Sequence, residues 1–304
     1  MRRRITITRF ALCLPVLLGP RNLHGQDEQS VAGFESQIKA GKYTEVSIAL
    51  ESYVAGHPKS WRALYQLGYV DFRLHRIQQS LTMLCKSLLL NPEFAESHKI
   101  LAYDLNILGR QDLAINELGQ AIRYDPRSAE SHYELGRIYY EQGSYLKATQ
   151  ELEQAKALDR NLVRVYHNLG LAYAAISEDT KAIENFETGL RINVRQSKPS
   201  AWPLIDYATY FNLRNKFERA RVMLLEAIKI DNNWDQEYNE LSKSYRGLGQ
   251  TSEAIDALKQ AIVRNPRKAE YHYVLARLYT QTHQLAEARE QLAQYERQKS
   301  SAAN

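Results

Sequence analysis

The chain has 304 residues, 44% of them hydrophobic and 25% charged, a balance that suits a folded protein and excludes wholesale disorder. Its formal charge is +5, yet Arg2, Arg3, Arg4, Arg9 and Arg21 all precede residue 26, and the remainder carries as many basic as acidic side chains, 35 of each. A body without net charge lacks the basic face that nucleic acid requires, so no nucleic-acid partner is expected.

Residues 1–25 read as an export signal. Three arginines lead into the mostly apolar run from Ile5 to Gly19, and Arg21-Asn22-Leu23-His24-Gly25 forms a polar exit, with cleavage expected after Gly25. The strongest apolar part, Phe10 to Gly19, is short for a bilayer and holds Pro15, so no permanent membrane span is expected after cleavage. This implies an exported, periplasmic or secreted protein, of bacterial type; the alternative is a disordered basic leader on a cytoplasmic protein. Cys13 lies inside the apolar run and lacks the small residues that precede a lipidated cysteine. Cys85 is then the one thiol of the mature chain, which makes no internal disulfide and fits either compartment.

Residues 27–60 are expected to form a degenerate helical hairpin, because Gly41-Lys42-Tyr43 resembles Gly143-Ser144-Tyr145 and Pro58 lies 34 residues before Pro92. From residue 61 a 34-residue period takes over. Small residues recur at Gly68, Ala102, Gly136, Gly170, Ala208, Ser242 and Ala276, and a second series follows at Ser80, Ala114, Ala148, Ala182, Ala220, Ala254 and Ala288. Such self-similarity marks an array of identical supersecondary units.

Seven units begin near Trp61, Ala95, Ala129, Val163, Ala201, Asp235 and Ala269, with apolar residues stepping at three and four, so each unit is an antiparallel helix pair. Leu67, Leu101, Leu135, Leu169, Tyr207, Leu241 and Leu275 occupy one position of the first helix, and the small residue beside each lets the partner helix approach closely. The second helix supplies Leu84, Leu118, Leu152, Phe186, Leu224, Leu258 and Leu292, expected to bury against its own partner and the next unit. Asn91-Pro92, Asp125-Pro126 and Asn265-Pro266 end units, since Asn and Asp suit helix-ending turns and Pro forbids continuation. Units one to four fill 61–194. The insertion at 195–200, with Pro203 just beyond, is expected to kink the array. Units five to seven fill 201–298, the last helix presenting Arg289 and Glu296 as a polar cap, and 299–304 is expected to be a disordered tail.

Tyr133-Glu134-Leu135-Gly136-Arg137-Ile138-Tyr139 with Ala148, Leu152 and Ala155, and His167-Asn168-Leu169-Gly170-Leu171-Ala172-Tyr173 with Ala182 and Phe186, resemble the tetratricopeptide repeat family. The resemblance covers almost everything from Trp61 to Gln298. It implies an all-α, right-handed superhelical solenoid whose first helices line a concave groove that binds peptides and partner proteins. Groove-lining positions of the family correspond here to Tyr65, Tyr69 and Phe72; Lys99, Tyr103 and Asn106; Tyr133, Arg137 and Tyr140; Asn239, Lys243 and Arg246; and Tyr273 and Arg277. The early part would be a tyrosine-rich trough and the last part a basic one, suited to a carboxylate. Tyr103 stands where the chaperone-tail clamp needs Asn, and Asn168 alone occupies the asparagine-ladder position, so both specialised patterns are absent.

His98, His132 and His272 share one repeat position, and equivalent positions two helix spacings apart, at about 8–10 Å each, cannot converge on one ion. No metal, cofactor or catalytic constellation is expected, and no phosphate loop or nucleophile elbow is present. The expectation is a non-catalytic scaffold for a protein or peptide partner. The alternative is an accessory subunit of an envelope secretion or enzyme assembly that uses its convex face and helix edges.

Overall fold

The computed structural model describes residues 27–302, so the export signal, its cleavage site and Cys13 lie outside the described residues. Among the described residues there are sixteen helices and no strands: α1 (Asp27–Lys39), α2 (Tyr43–Gly56), α3 (Trp61–Arg73), α4 (Ile77–Leu90), α5 (Ala95–Ile107), α6 (Gln111–Tyr124), α7 (Ala129–Glu141), α8 (Tyr145–Leu158), α9 (Val163–Ala175), α10 (Asp179–Asn193), α11 (Trp202–Leu213), α12 (Phe217–Ile230), α13 (Asp235–Gly247), α14 (Thr251–Arg264), α15 (Ala269–Gln281) and α16 (Leu285–Ala302). Six of the seven unit starts read from the sequence are the first residues of odd-numbered helices; α11 begins one residue after Ala201.

The turn inside every pair is built one way. Gly41, His75, Gly109, Gly143, Ser177, Asn215, Gly249 and His283 all have positive φ, between 56° and 75°. The next residue's amide then reaches back five positions to a carbonyl near the end of the first helix: Arg76 to Asp71, Arg110 to Leu105, Ser144 to Tyr139, Lys216 to Phe211 and Gln284 to Tyr279, each at 2.8 Å. A left-handed residue followed by this bond satisfies the carbonyls that a helix end leaves open and reverses the chain. Between pairs, the Asp125 carboxylate accepts the amide of Arg127 at 3.1 Å and that of Asp159 accepts Asn161 at 2.9 Å, which fixes the unit-end turns without helix continuation.

The small residues sit where the helices of a pair nearly touch. A Cβ on Gly68 would lie 2.8 Å from Leu84 Cγ, and one on Gly170 would lie 2.6 Å from Phe186 Cε1. In the second helices Leu84, Leu118, Leu152, Leu224 and Leu258 are fully buried, as expected. Leu292 departs from its expected burial and is 41% exposed; among the described residues α16 is the last helix. On that helix Arg289 and Glu296 are exposed, and the helix runs through Ala302, so 299–302 are helical where a disordered tail is expected.

The described residues form two compact units, one ending at Ile138 and one beginning at Tyr139; the division falls within α7 and not at the insertion. In the first unit Val46, Leu50, Leu67 and Val70 form one core cluster and Leu81, Leu84, Leu88, Ile100 and Leu101 another. In the second, Phe186, Ile205, Tyr207, Tyr210, Phe211 and Leu224 form an aromatic-rich cluster beside one built on Ile255, Leu258, Leu275 and Leu278. The 195–200 segment is tied by buried Asn193, whose Nδ2 donates to the Ser200 carbonyl at 2.7 Å while its Oδ1 accepts the Ser200 amide at 3.0 Å. Pro203 occupies the first turn of α11, where no helix hydrogen bond from its nitrogen is needed.

Candidate protein-interaction surface

The first-helix positions divide by what they touch. In the first unit, Tyr65 is half-buried with its ring edge-on to Phe94 at 4.8 Å, and burial pushes its hydroxyl well above the usual range. Tyr69 stands one turn on, its hydroxyl accepting from Arg73 Nη1 at 2.8 Å. Lys99 pairs with Glu96 at 2.8 Å, and Tyr103 donates to Glu130 Oε1 at 3.3 Å while packing 5.8 Å from the Phe72 ring. Arg137 pairs with Glu134 at 2.8 Å, one turn before it on α7. Tyr133 is a correction: it is 6% exposed, so its ring is buried and not open to a ligand. Asn106 is half-buried, with an Oδ1 that has no hydrogen-bond partner.

In the second unit, Tyr140 is half-buried with its ring 5.4 Å from that of Tyr145, and Asn239 is half-buried on α13. Lys243, its side chain 47% exposed, bonds to the buried Glu240 carboxylate at 2.5 Å, which offsets part of its charge. Glu240 in turn accepts from Asn212 Nδ2 at 3.0 Å, so the pair belongs to a polar set linking α11 and α13. Arg246 and Arg277 are exposed and, among the described residues, have no ion-pair partner. Tyr273, one turn before Arg277, is 43% exposed with its ring 5.3 Å from Tyr295. Arg246, Tyr273 and Arg277 are thus exposed, whereas Tyr65, Tyr69 and Tyr103 each contact a side chain of the chain itself.

Two of the three repeated histidines, His98 and His272, are held by hydrogen bonds within the fold. His98 places Nδ1 2.6 Å from Glu117 Oε2 and Nε2 2.9 Å from the Pro92 carbonyl; His272 meets Gln291 and Pro266 in the same way at 2.7 and 3.4 Å. Each ring therefore ties a unit-end turn to the second helix of its own pair. Among the described residues no group of three or more His, Cys, Asp or Glu side chains is placed to hold a metal ion, and no helix is long and apolar enough to cross a membrane.

Comparison with protein families matches the TPR repeat at residues 102–143 and 136–177, and the tetratricopeptide repeat at 163–193 and 239–303. No curated protein matches. Among solved structures, a chain of the APC/C hetero-tetramer Cut9–Hcn1 aligns over 84% of this chain with 18% identity and a TM-score of 0.69; this chain spans half the length of that one. A tetratricopeptide repeat protein from Parabacteroides merdae aligns over 84% of this chain and 100% of its own, at 16% identity and a TM-score of 0.66. Yeast Tom70 aligns over 92% of this chain and 62% of its own, at 15% identity and a TM-score of 0.62. At these identities the likeness speaks for the fold alone. Helix pairs repeating every 34 residues, the shared left-handed turn and the matched segments together make the chain an all-α tetratricopeptide-repeat array.

Proposed function

We propose that this protein is a non-catalytic scaffold that docks an extended, carboxylate-bearing segment of a partner protein on the first-helix face of α13 and α15. Tetratricopeptide folds generally serve protein–protein interaction, and the observation that carries this site is the exposed set Arg246, Tyr273 and Arg277, with both guanidiniums lacking a partner among the described residues. Arginine pairs with carboxylates in fixed two-point geometry, and an exposed tyrosine adds apolar area with one polar handle. A preformed helical surface lowers the ordering cost of holding an extended ligand.

The test compares partner capture by the wild-type protein and by the Arg246→Ala/Arg277→Ala double variant. Loss of a partner from the variant at unchanged helicity supports the site, and equal capture by both refutes it. Export completes the reading: the arginine-led apolar run of residues 1–25 supports delivery out of the cytoplasm. Mass-spectrometric mapping of the mature N-terminus checks this, and an intact Met1 in envelope material would oppose it.

A further inference from the structure

We propose that Trp202 and Trp234 form a recognition site for the guanidinium of an arginine presented by a partner protein, on a surface separate from the first-helix face. Trp202 is the first residue of α11 and Trp234 immediately precedes α13. Their ring centroids lie 4.9 Å apart with the planes tilted by 56°, and the side chains are 37% and 42% exposed. With Pro199, Ser200, Ile230 and Asp231 they line a cavity of about 420 Å³ beside the 195–200 insertion. Two large aromatics held in contact yet open to water are costly to expose and are the residue type that anchors interfaces.

The same chain shows what such a pair does. Trp61 begins α3 and Phe94 immediately precedes α5, and their rings lie 4.7 Å apart with a tilt of 58°. There the next residue, Arg62, places its guanidinium carbon 5.1 Å from the centre of the Trp61 ring. At the second pair the next residue is Pro203, and among the described residues no Lys or Arg lies over Trp202 or Trp234. The geometry is repeated and the intramolecular cation is missing from it.

The cavity also supplies an anion. Asp231 Oδ2 accepts from Trp234 Nε1 at 2.8 Å, and its Oδ1 accepts from the Asn233 amide at 3.1 Å and from Asn233 Nδ2 at 2.7 Å. These bonds hold the carboxyl below its usual range and fix it against the indole, and among the described residues it has no ion-pair partner. Two basic neighbours bear on the site. Arg264 is committed elsewhere, its guanidinium 3.9 Å from the Tyr238 ring centre and bonded to the Asn232 carbonyl; Lys198 is exposed on the insertion, before Pro199. Guanidinium suits the site better than ammonium, because a planar group can lie on an indole face and still bond in-plane to a carboxylate.

The experiment follows the three indole N–H resonances of the isotopically labelled protein, those of Trp61, Trp202 and Trp234, while titrating acetyl-Gly-Arg-Gly-amide. The neutral control peptide carries citrulline, which keeps the planar shape without the charge. Trp202 and Trp234 are expected to shift and Trp61 to stay, the citrulline peptide to bind at least tenfold more weakly, and Asp231→Asn to weaken the arginine peptide severalfold. The Arg246→Ala/Arg277→Ala variant is expected to bind the arginine peptide unchanged, which separates this site from the first-helix face. Equal binding of both peptides, a shift confined to Trp61, or no shift at all would overturn the proposal.

Discussion

Ser80 Oγ donates a 2.5 Å hydrogen bond to Asp104 Oδ2, joining α4 to α5 in an interior where neither residue is exposed. The second helix of every pair from α6 onward has Ala at the Ser80 position, so the one hydroxyl in that series answers the buried Asp104 carboxyl. Asp104 Oδ1 has no hydrogen-bond partner, and burial, more than the nearby Asp71 charge, pushes the carboxyl up to about 7. A folded state that holds its proton more tightly than the unfolded chain is favoured at low pH. That contribution is complete below the ordinary carboxylate value of about 3.9 and fades as pH rises through about 7. Melting temperature is therefore expected to fall between pH 5 and pH 8, and Asp104→Asn to recover roughly 2 kcal/mol at pH 8 and to flatten the slope. A variant with the wild-type slope would refute the assignment.

The eight left-handed turns predict a stabilising substitution. His75 at φ 58° and Ser177 at φ 63° carry a Cβ in a conformation that Gly41, Gly109, Gly143 and Gly249 adopt without one. Replacing either by Gly relieves about 1 kcal/mol of backbone strain, less the entropy that Gly gains in the unfolded chain. Chemical denaturation should show His75→Gly and Ser177→Gly at least as stable as the wild type, whereas Gly109→Ala should be less stable.

Much of the fold was legible because a close helix contact forces a small residue, as at Gly68 against Leu84 and Gly170 against Phe186. The left-handed turn was less so: its residue is Gly in four pairs but His, Ser or Asn in the others, since backbone strain can be tolerated where packing determines the turn. The site was read only in part. A three-to-four spacing places Tyr133 and Tyr273 on comparable faces, yet one is 6% and the other 43% exposed, because exposure depends on what the neighbouring helices present. Trp202 and Trp234 are 32 residues apart in no recognisable motif, and only the turn between pairs brings their rings together.

Gly170 tests the close approach directly. A methyl there would sit 2.6 Å from the Phe186 ring, and that ring cannot swing aside, being stacked on Tyr207 at 4.9 Å and packed on Tyr210 at 5.5 Å. Gly170→Ala is expected to destabilise by about 1–3 kcal/mol despite the better helix propensity of alanine. Thermal melting followed by circular dichroism measures it, and a stability equal to the wild type would mean that the α9–α10 contact is looser than described.

The tyrosines separate binding from folding. Tyr133→Ala removes a buried ring and is expected to cost about 3 kcal/mol or more, whereas Tyr273→Ala, at an exposed ring, should change stability by less than about 1 kcal/mol. Partner capture should fall with Tyr273→Ala at unchanged stability. A loss of binding in Tyr133→Ala would report the loss of a buried ring's packing and say nothing of the surface.

Asn212 is the strongest test of the buried polar links between successive pairs. Its Nδ2 donates to both the Glu240 carbonyl and the Glu240 carboxylate at 3.0 Å, and its Oδ1 accepts from Ser244 Oγ at 2.8 Å, with all three residues buried. One side chain on α11 thus satisfies a carboxylate, a carbonyl and a hydroxyl on α13. Among the described residues Asn212→Ala leaves the Glu240 carboxylate bonded to Lys243 alone, and a buried charged oxygen without a donor costs more than the bond removed, so a loss of about 2–3 kcal/mol is expected. Asn212→Asp should be worse near neutral pH, because it sets a second carboxylate against Glu240, and should recover toward wild-type stability as pH falls and the pair shares a proton. Denaturation at pH 5 and pH 8 decides the matter: a variant equally destabilised at both would show that the cavity, and not the charge, governs the α11–α13 junction.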